Sequence, residues 1–147
     1  MSYAMPRAAC EAFLAGLHVG VVAVAEPGRA PLAVPVWYAY EPGGAVRFAT
    51  AASSRKTALL RAAGRASLCA QDEAPPYRYV TVEGPVTILE PDFERDVRAV
   101  AIRYLGPDMA EAYLAMTAAE RAANPNVLVE LAPERWLSAD FGAMVPG

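Results

Sequence analysis

The stretch AVRFATAASSRKTALLRAAG, residues 45–64, decides the fold. Its opening alternates, with Val46 and Phe48 on one face, and predicts a strand over Ala45 to Thr50. The remainder predicts a helix, with a serine N-cap at Ser53 or Ser54, Leu59 and Leu60 facing inward, and Gly64 as its stop. Upstream, Val19 to Ala25 and Leu32 to Tyr40 are β-branched and aromatic runs joined by the turn-rich segment Glu26 to Pro31. Pro35 within the second run points to an edge strand or a bulge. Another turn, Glu41-Pro42-Gly43-Gly44, leads into the Ala45 strand, so three antiparallel strands precede the helix. A leading helix is expected over Pro6 to Leu17, with Phe13, Leu14 and Leu17 at helical spacing.

Downstream, Ala66 to Gln71 predicts a fourth strand and Tyr77 to Leu89 a long one, bulged or bent at Gly84-Pro85. Asp92 is placed to cap a helix running to about Tyr104 and ending at Gly106-Pro107, and Thr117-Ala118-Ala119-Glu120 has the form of a capping box. Asn126 to Leu131 supplies a closing strand. Five or six short strands, with one helix between the third and fourth and further helices late in the chain, favour an antiparallel barrel over a doubly wound parallel sheet.

Composition narrows the function. The chain has 147 residues, 55% of them apolar and 20% charged, which suits one compact domain over residues 1–147. A net charge of −3 offers no basic field to nucleic acid or an anionic membrane. The apolar runs are too short to span a bilayer. Cys10, Cys69 and the single His18 make neither a disulfide framework nor a typical zinc site, and a reducing cytoplasm is the expected compartment. Residues 12–24 imitate a secretory signal, but Glu11 precedes them, His18 interrupts them, and cleavage there would remove the first core strand. Neither a dinucleotide-binding glycine fingerprint, a phosphate-binding loop nor a nucleophile elbow is present. His18 is expected to cap the leading helix or fill a boundary position, Cys69 to be an inert core residue, and Asp92, Glu94 and Asp96 to favour a helix dipole.

Ser53 to Lys56 is the informative segment for chemistry. Arg55 and Lys56, the latter the only lysine, place two cations on a first helical turn that is already positive. An anion would relieve that conflict, and free amides, serine hydroxyls and the two cations together form a phosphate cradle; a solvated pair on a surface helix satisfies the same residues. Pro35-Val36-Trp37-Tyr38 carries aromatics just upstream, read either as core or as a ligand wall. An anion cradle beside aromatic strands describes a site for a flat heteroaromatic ring bearing a phosphate, such as a flavin.

These residues resemble the pyridoxamine 5'-phosphate oxidase-like split β-barrels, and within them the flavin/deazaflavin oxidoreductases of actinobacterial type. The resemblance rests on Pro35-Val36-Trp37-Tyr38, Phe48-Ala49-Thr50, Ser54-Arg55-Lys56, the strands Ser67 to Gln71 and Tyr79 to Gly84, and the tail from Val127 to Leu131 followed by Glu134 to Asp140. The tail is similar to the deazaflavin-dependent biliverdin reductases. The resemblance implies a six-stranded antiparallel split β-barrel that forms a homodimer, with a cofactor in each of two clefts between subunits. It implies that Ser54, Arg55 and Lys56 hold the cofactor phosphate, that Thr50 and Ala51 line the linker, that Val36, Trp37 and Tyr38 lie along the ring, and that Gln71 and Trp136 reach across the dimer. The C-terminal tail lacks the histidine of true pyridoxamine-phosphate oxidases, which argues against vitamin B6 oxidation and against the haem-degrading relatives. The implied activity is hydride transfer from reduced deazaflavin coenzyme F-420 to an unsaturated or conjugated small molecule. FMN is the alternative cofactor, and a non-catalytic flavin or tetrapyrrole carrier is the alternative role. A plain dimeric interaction domain with a solvated Arg-Lys pair would bind no such ligand.

Overall fold

The structure is a computed structural model that describes residues 2–144. Seven strands and four α-helices follow in the order α1 (Arg7–Ala15), β1 (Gly20–Val24), β2 (Leu32–Val36), β3 (Val46–Ala51), α2 (Arg55–Ala63), β4 (Arg65–Gln71), β5 (Arg78–Leu89), α3 (Ala99–Leu105), α4 (Pro107–Ala123), β6 (Asn126–Leu131) and β7 (Arg135–Asp140). A wider π-helical turn, Phe93–Arg98, leads into α3.

Six strands pair antiparallel in the order β2-β1-β4-β5-β6-β3, and β7 pairs with β5. The sheet curls because β5 belongs to two layers. Its first part lies between β4 and β7, and from Val86 onward it pairs with β6. The handover falls at Gly84-Pro85, the expected bend. A Cβ on Gly84 would stand 1.8 Å from the Ala132 carbonyl oxygen, so only glycine lets the chain after β6 pass this close. The curl closes where Ala39, just past β2, exchanges two backbone hydrogen bonds with Arg47 of β3. This is the expected split barrel, with Pro35 on the edge strand β2.

The inward-facing residues of the strands, Val22, Val46, Phe48, Leu68, Val80 and Val82 among them, form the core with Leu60 of α2 and Leu14 of α1. Ser54 caps α2 by accepting from Thr57 N–H at 3.2 Å, and Gly64 ends it with a left-handed φ of 68°. A smaller cluster, built on Ala101, Ala110 and Leu114, holds α3 against α4 beside Trp37.

Several expectations are corrected. The leading helix stops at Ala15, where Gly16 turns extended, and this leaves Leu17 exposed. Cys69 is half-buried on the outer face of β4; Leu68 and Ala70, one residue either side, point inward. His18 keeps its boundary position, stacked on Phe13 with ring centroids 4.2 Å apart. Thr117 begins no helix. It lies within α4, which starts at Pro107, and its hydroxyl donates to the Tyr113 carbonyl at 2.8 Å. Arg135–Asp140 adds a strand beyond the expected closing one, because the exposed side of β5 offers it a full ladder of partners.

Candidate functional site

A ring-sized cavity lies outside the core, where the turn Phe93–Arg98, α3 and α4 fold back over the outer surface of β3. Its volume is about 380 Å³, within the range of small-molecule sites. The end of β2 contributes Val36, the residue just past it is Trp37, β3 contributes Ala49 and Thr50, α2 contributes Lys56, and α4 contributes Tyr113. Asn126 of β6 closes one end.

Each wall has a local cause. After β2 the ladder gives way to an irregular run, and Tyr104 of α3 substitutes for it. The Tyr104 hydroxyl accepts from Tyr38 N–H at 3.1 Å and donates to the His18 carbonyl at 2.5 Å. Burial raises the pKa of the Tyr104 hydroxyl and outweighs the lowering effects of the Tyr38 backbone and Arg103, so it remains a neutral donor. The Tyr104 ring stacks on Trp37 at 5.2 Å and 7° between planes, and Tyr113 packs tilted against Trp37 at 5.4 Å. The aromatic wall is thereby held flat from behind.

Asp96 anchors the opposite wall. Although the sequence places it among acids that favour a helix dipole, its carboxylate is buried and accepts from Arg95 Nε at 2.8 Å, Arg47 Nη2 at 3.0 Å and Asp92 N–H at 2.8 Å. Burial alone would push this carboxyl up; the hydrogen bonds from Arg95 and Asp92 and then Arg47 hold it below its usual range. The turn carrying Val97 into the cavity is thus bolted to β3 by charge.

Lys56 is the cation of the site. It projects from the first turn of α2 into the cavity and donates to Thr50 Oγ1 at 2.7 Å. Burial lowers its pKa, and no carboxylate pairs with it among the described residues. Arg55 behaves differently. Its guanidinium pairs with Glu26 in the β1–β2 turn, and it lies outside the cavity lining. The excess positive charge at this helix start is therefore relieved once, by the Glu26 carboxylate at Arg55, and at Lys56 by no carboxylate among the described residues.

The other expected residues divide in the same way. Val36, Trp37, Thr50 and Lys56 meet in the cavity, and Ala51 lines a smaller chamber adjoining it. Ser54 is occupied as the cap of α2. Tyr38, expected along the ring, turns into the core on the side opposite Trp37, where its hydroxyl donates to the Leu14 carbonyl at 2.7 Å. Gln71 ends β4 on the outer face, while Trp136 packs against the core beneath Arg7, on another side of the barrel. Sequence reasoning missed Asp96, Tyr104, Tyr113 and Asn126. Only the acid cluster at Asp92 to Asp96 carried a signal, and it read as helix capping. Among the described residues no group of side chains is arranged to hold a metal, and no helix is long and apolar enough to cross a membrane.

A curled antiparallel sheet with its cavity on the outer wall of β3 defines the split β-barrel class. The chain belongs to the pyridoxamine 5'-phosphate oxidase family, whose signature matches residues 6–139. No curated protein sequence matches it. Among solved structures, it is similar to a conserved hypothetical protein from Mycobacterium tuberculosis, at 26% identity and a TM-score of 0.77, covering 99% of this chain and 92% of that one. It is also similar to an F-420 reductase at 22% identity and a TM-score of 0.67, covering 86% of this chain and 94% of that one. A third is an FAD-binding protein from Mesorhizobium loti, at 21% identity and a TM-score of 0.62, covering 91% and 92% of the two chains.

Proposed function

We propose that the protein is a flavin-type oxidoreductase, and specifically a reductase that uses reduced coenzyme F-420 to deliver hydride to an unsaturated or conjugated organic acceptor. The observation that carries this reading is Lys56, a half-buried ammonium without a carboxylate partner among the described residues, facing a ring-sized cavity with an aromatic wall. Such a cation is costly without an anion and suits a phosphate on the ring's linker. Names of two similar structures support the class, since one is an F-420 reductase and another an FAD-binding protein. FMN is the alternative cofactor.

The deazaflavin, when bound, supplies the hydride. The chain's own part is to bind and orient. Lys56 and Thr50 hold the anionic linker, Trp37 fixes the plane of the ring, and Val36, Val97 and Val100 exclude water from its surroundings. No acid-base residue is required of the chain for this chemistry.

The reading includes a homodimer in the cytoplasm. Across the outer face of the sheet, Pro35, Val21, Cys69, Thr81 and Leu137 lie in one register row with no charge among them. Val21 and Leu137 are 40% and 60% exposed, an apolar strip suited to a second copy. Gln71 and Trp136 would then serve the partner's cleft.

The test is fluorescence titration of the purified protein with F-420 and FMN in parallel, followed by mixing the reduced cofactor complex with conjugated acceptors such as biliverdin. Tight F-420 binding and oxidation of the reduced complex only when acceptor is present support the reductase. Binding without turnover identifies a carrier, and absence of binding by either ligand rejects the reading.

A further inference from the structure

The cavity does not end at Lys56. A second chamber of about 140 Å³ adjoins it, and the two share Val97, Tyr113 and Asn126 as walls. The floor shows their alignment. Ala49 and Ala51 are successive outward residues of β3, and Ala49 lines the first chamber while Ala51 lines the second. The groove therefore advances along β3 by about 6–7 Å, one outward position to the next. Both floor residues are alanine, so nothing larger than a methyl group rises between the chambers from that side.

The second chamber has polar groups of its own. Arg121 of α4 lines it, half-buried, its guanidinium steadied by the Leu114 carbonyl at 2.8 Å, by the Thr117 hydroxyl and by the Phe93 ring. Like Lys56, Arg121 has no carboxylate partner among the described residues. Asn124 accepts from Ser53 N–H at 3.3 Å through its side-chain oxygen, which leaves its amide hydrogens for the chamber. Glu120 also borders the chamber but is exposed to solvent, where its charge is screened.

We infer that this groove binds a cofactor carrying two anionic centres in series, the first at Lys56 and the second at Arg121, with Asn126 contacting the segment between them. The inference rests on the flavin-type reading above and extends it, because it assigns the chamber beyond Tyr113 to whatever follows the cofactor's first phosphate. It favours a ligand with a second phosphate or a carboxylate tail, as FAD and F-420 have, over FMN, which ends at one phosphate.

Dissociation constants of FMN, FAD and F-420, measured by fluorescence on the full chain, test it. FMN and FAD share ring and first phosphate, so their ratio isolates the extension. FAD and F-420 are expected to bind about tenfold more tightly than FMN, the effect of one charge-assisted contact in a partly wet groove. Arg121→Gln should erase that advantage and leave FMN affinity unchanged, while Arg121→Lys should keep part of it. Because Arg121 also steadies α4, Ala51→Leu provides a second route: it fills the floor of the second chamber and should weaken FAD and F-420 selectively. Equal affinities for all three ligands, or an equal loss for all three in Arg121→Gln and Ala51→Leu, overturns the second subsite alone. If none of the three binds, the flavin-type reading fails and the subsite falls with it.

Discussion

Replacing Lys56 with methionine keeps most of the side chain's volume and removes its charge. In the free protein the substitution deletes one hydrogen bond, from Nζ to Thr50 Oγ1 at 2.7 Å, worth about 1 kcal/mol. It also deletes an ammonium that burial disfavours, and the two effects oppose each other, so stability should change by no more than about 1 kcal/mol. Ligand binding loses a charge-assisted contact of about 1.5–3 kcal/mol, a roughly 10- to 100-fold rise in Kd. The signs of the pH effects follow from the lowered pKa. The unfolded chain keeps the lysine proton to higher pH than the folded one, so the free protein gains stability as pH rises from the folded pKa toward the ordinary lysine value. A bound anion favours the protonated form, so affinity falls as pH rises through the folded pKa. Lys56→Met should remove both slopes. Urea unfolding and F-420 titration across alkaline pH measure them. Unchanged affinity in the variant, or an alkaline loss of affinity that persists in it, would refute the assignment of the anion to Lys56.

Gly84→Ala should cost at least about 2 kcal/mol in urea unfolding, because its Cβ would meet the Ala132 carbonyl oxygen at 1.8 Å and force apart the handover between layers; wild-type stability would show that this approach is not obligatory. Asp96→Asn should lose about 1–3 kcal/mol at neutral pH by weakening the bonds to Arg95 and Arg47. Asp96 contributes fully above the usual carboxylate range and progressively less as pH falls through its lowered folded pKa, so the variant should also show a flatter acid limb. Identical acid limbs in urea unfolding would contradict that role. If the proposed homodimer forms through the outer sheet face, Leu137→Asp should give a monomer in analytical ultracentrifugation, since it places a charge in the uncharged row; a dimer that persists at micromolar protein would locate the interface elsewhere.

Signals confined to a few neighbouring residues were readable in advance. Alternation at Val46 and Phe48, the Ser54 cap, the Gly64 stop and the Gly84-Pro85 bend each depend on contacts within one element or one turn, and the structure has all of them. The cation of the site was legible too, because Lys56 stands at the wrong end of a helix dipole. Its neighbour Arg55 raised the same signal, yet it is satisfied by Glu26, 29 residues earlier in the chain. Local electrostatics cannot tell a cation awaiting a ligand from one paired across a turn.

Sequence by itself determined the strands, the helix after the third of them and the antiparallel barrel, and it singled out Lys56 as a candidate. Tertiary structure decided where the cavity lies and what walls it. Tyr104 meets Tyr38 across 66 residues and Asp96 meets Arg47 across 49, and neither pairing leaves a mark on local periodicity. Just past β2, packing likewise settled which ring goes where, sending Tyr38 to the core and Trp37 to the cavity. Folding brings the turn at Phe93–Arg98 and the helices behind it over β3, and only that closure makes the candidate cavity from residues that, read along the chain, serve merely as helix caps and apolar spacers.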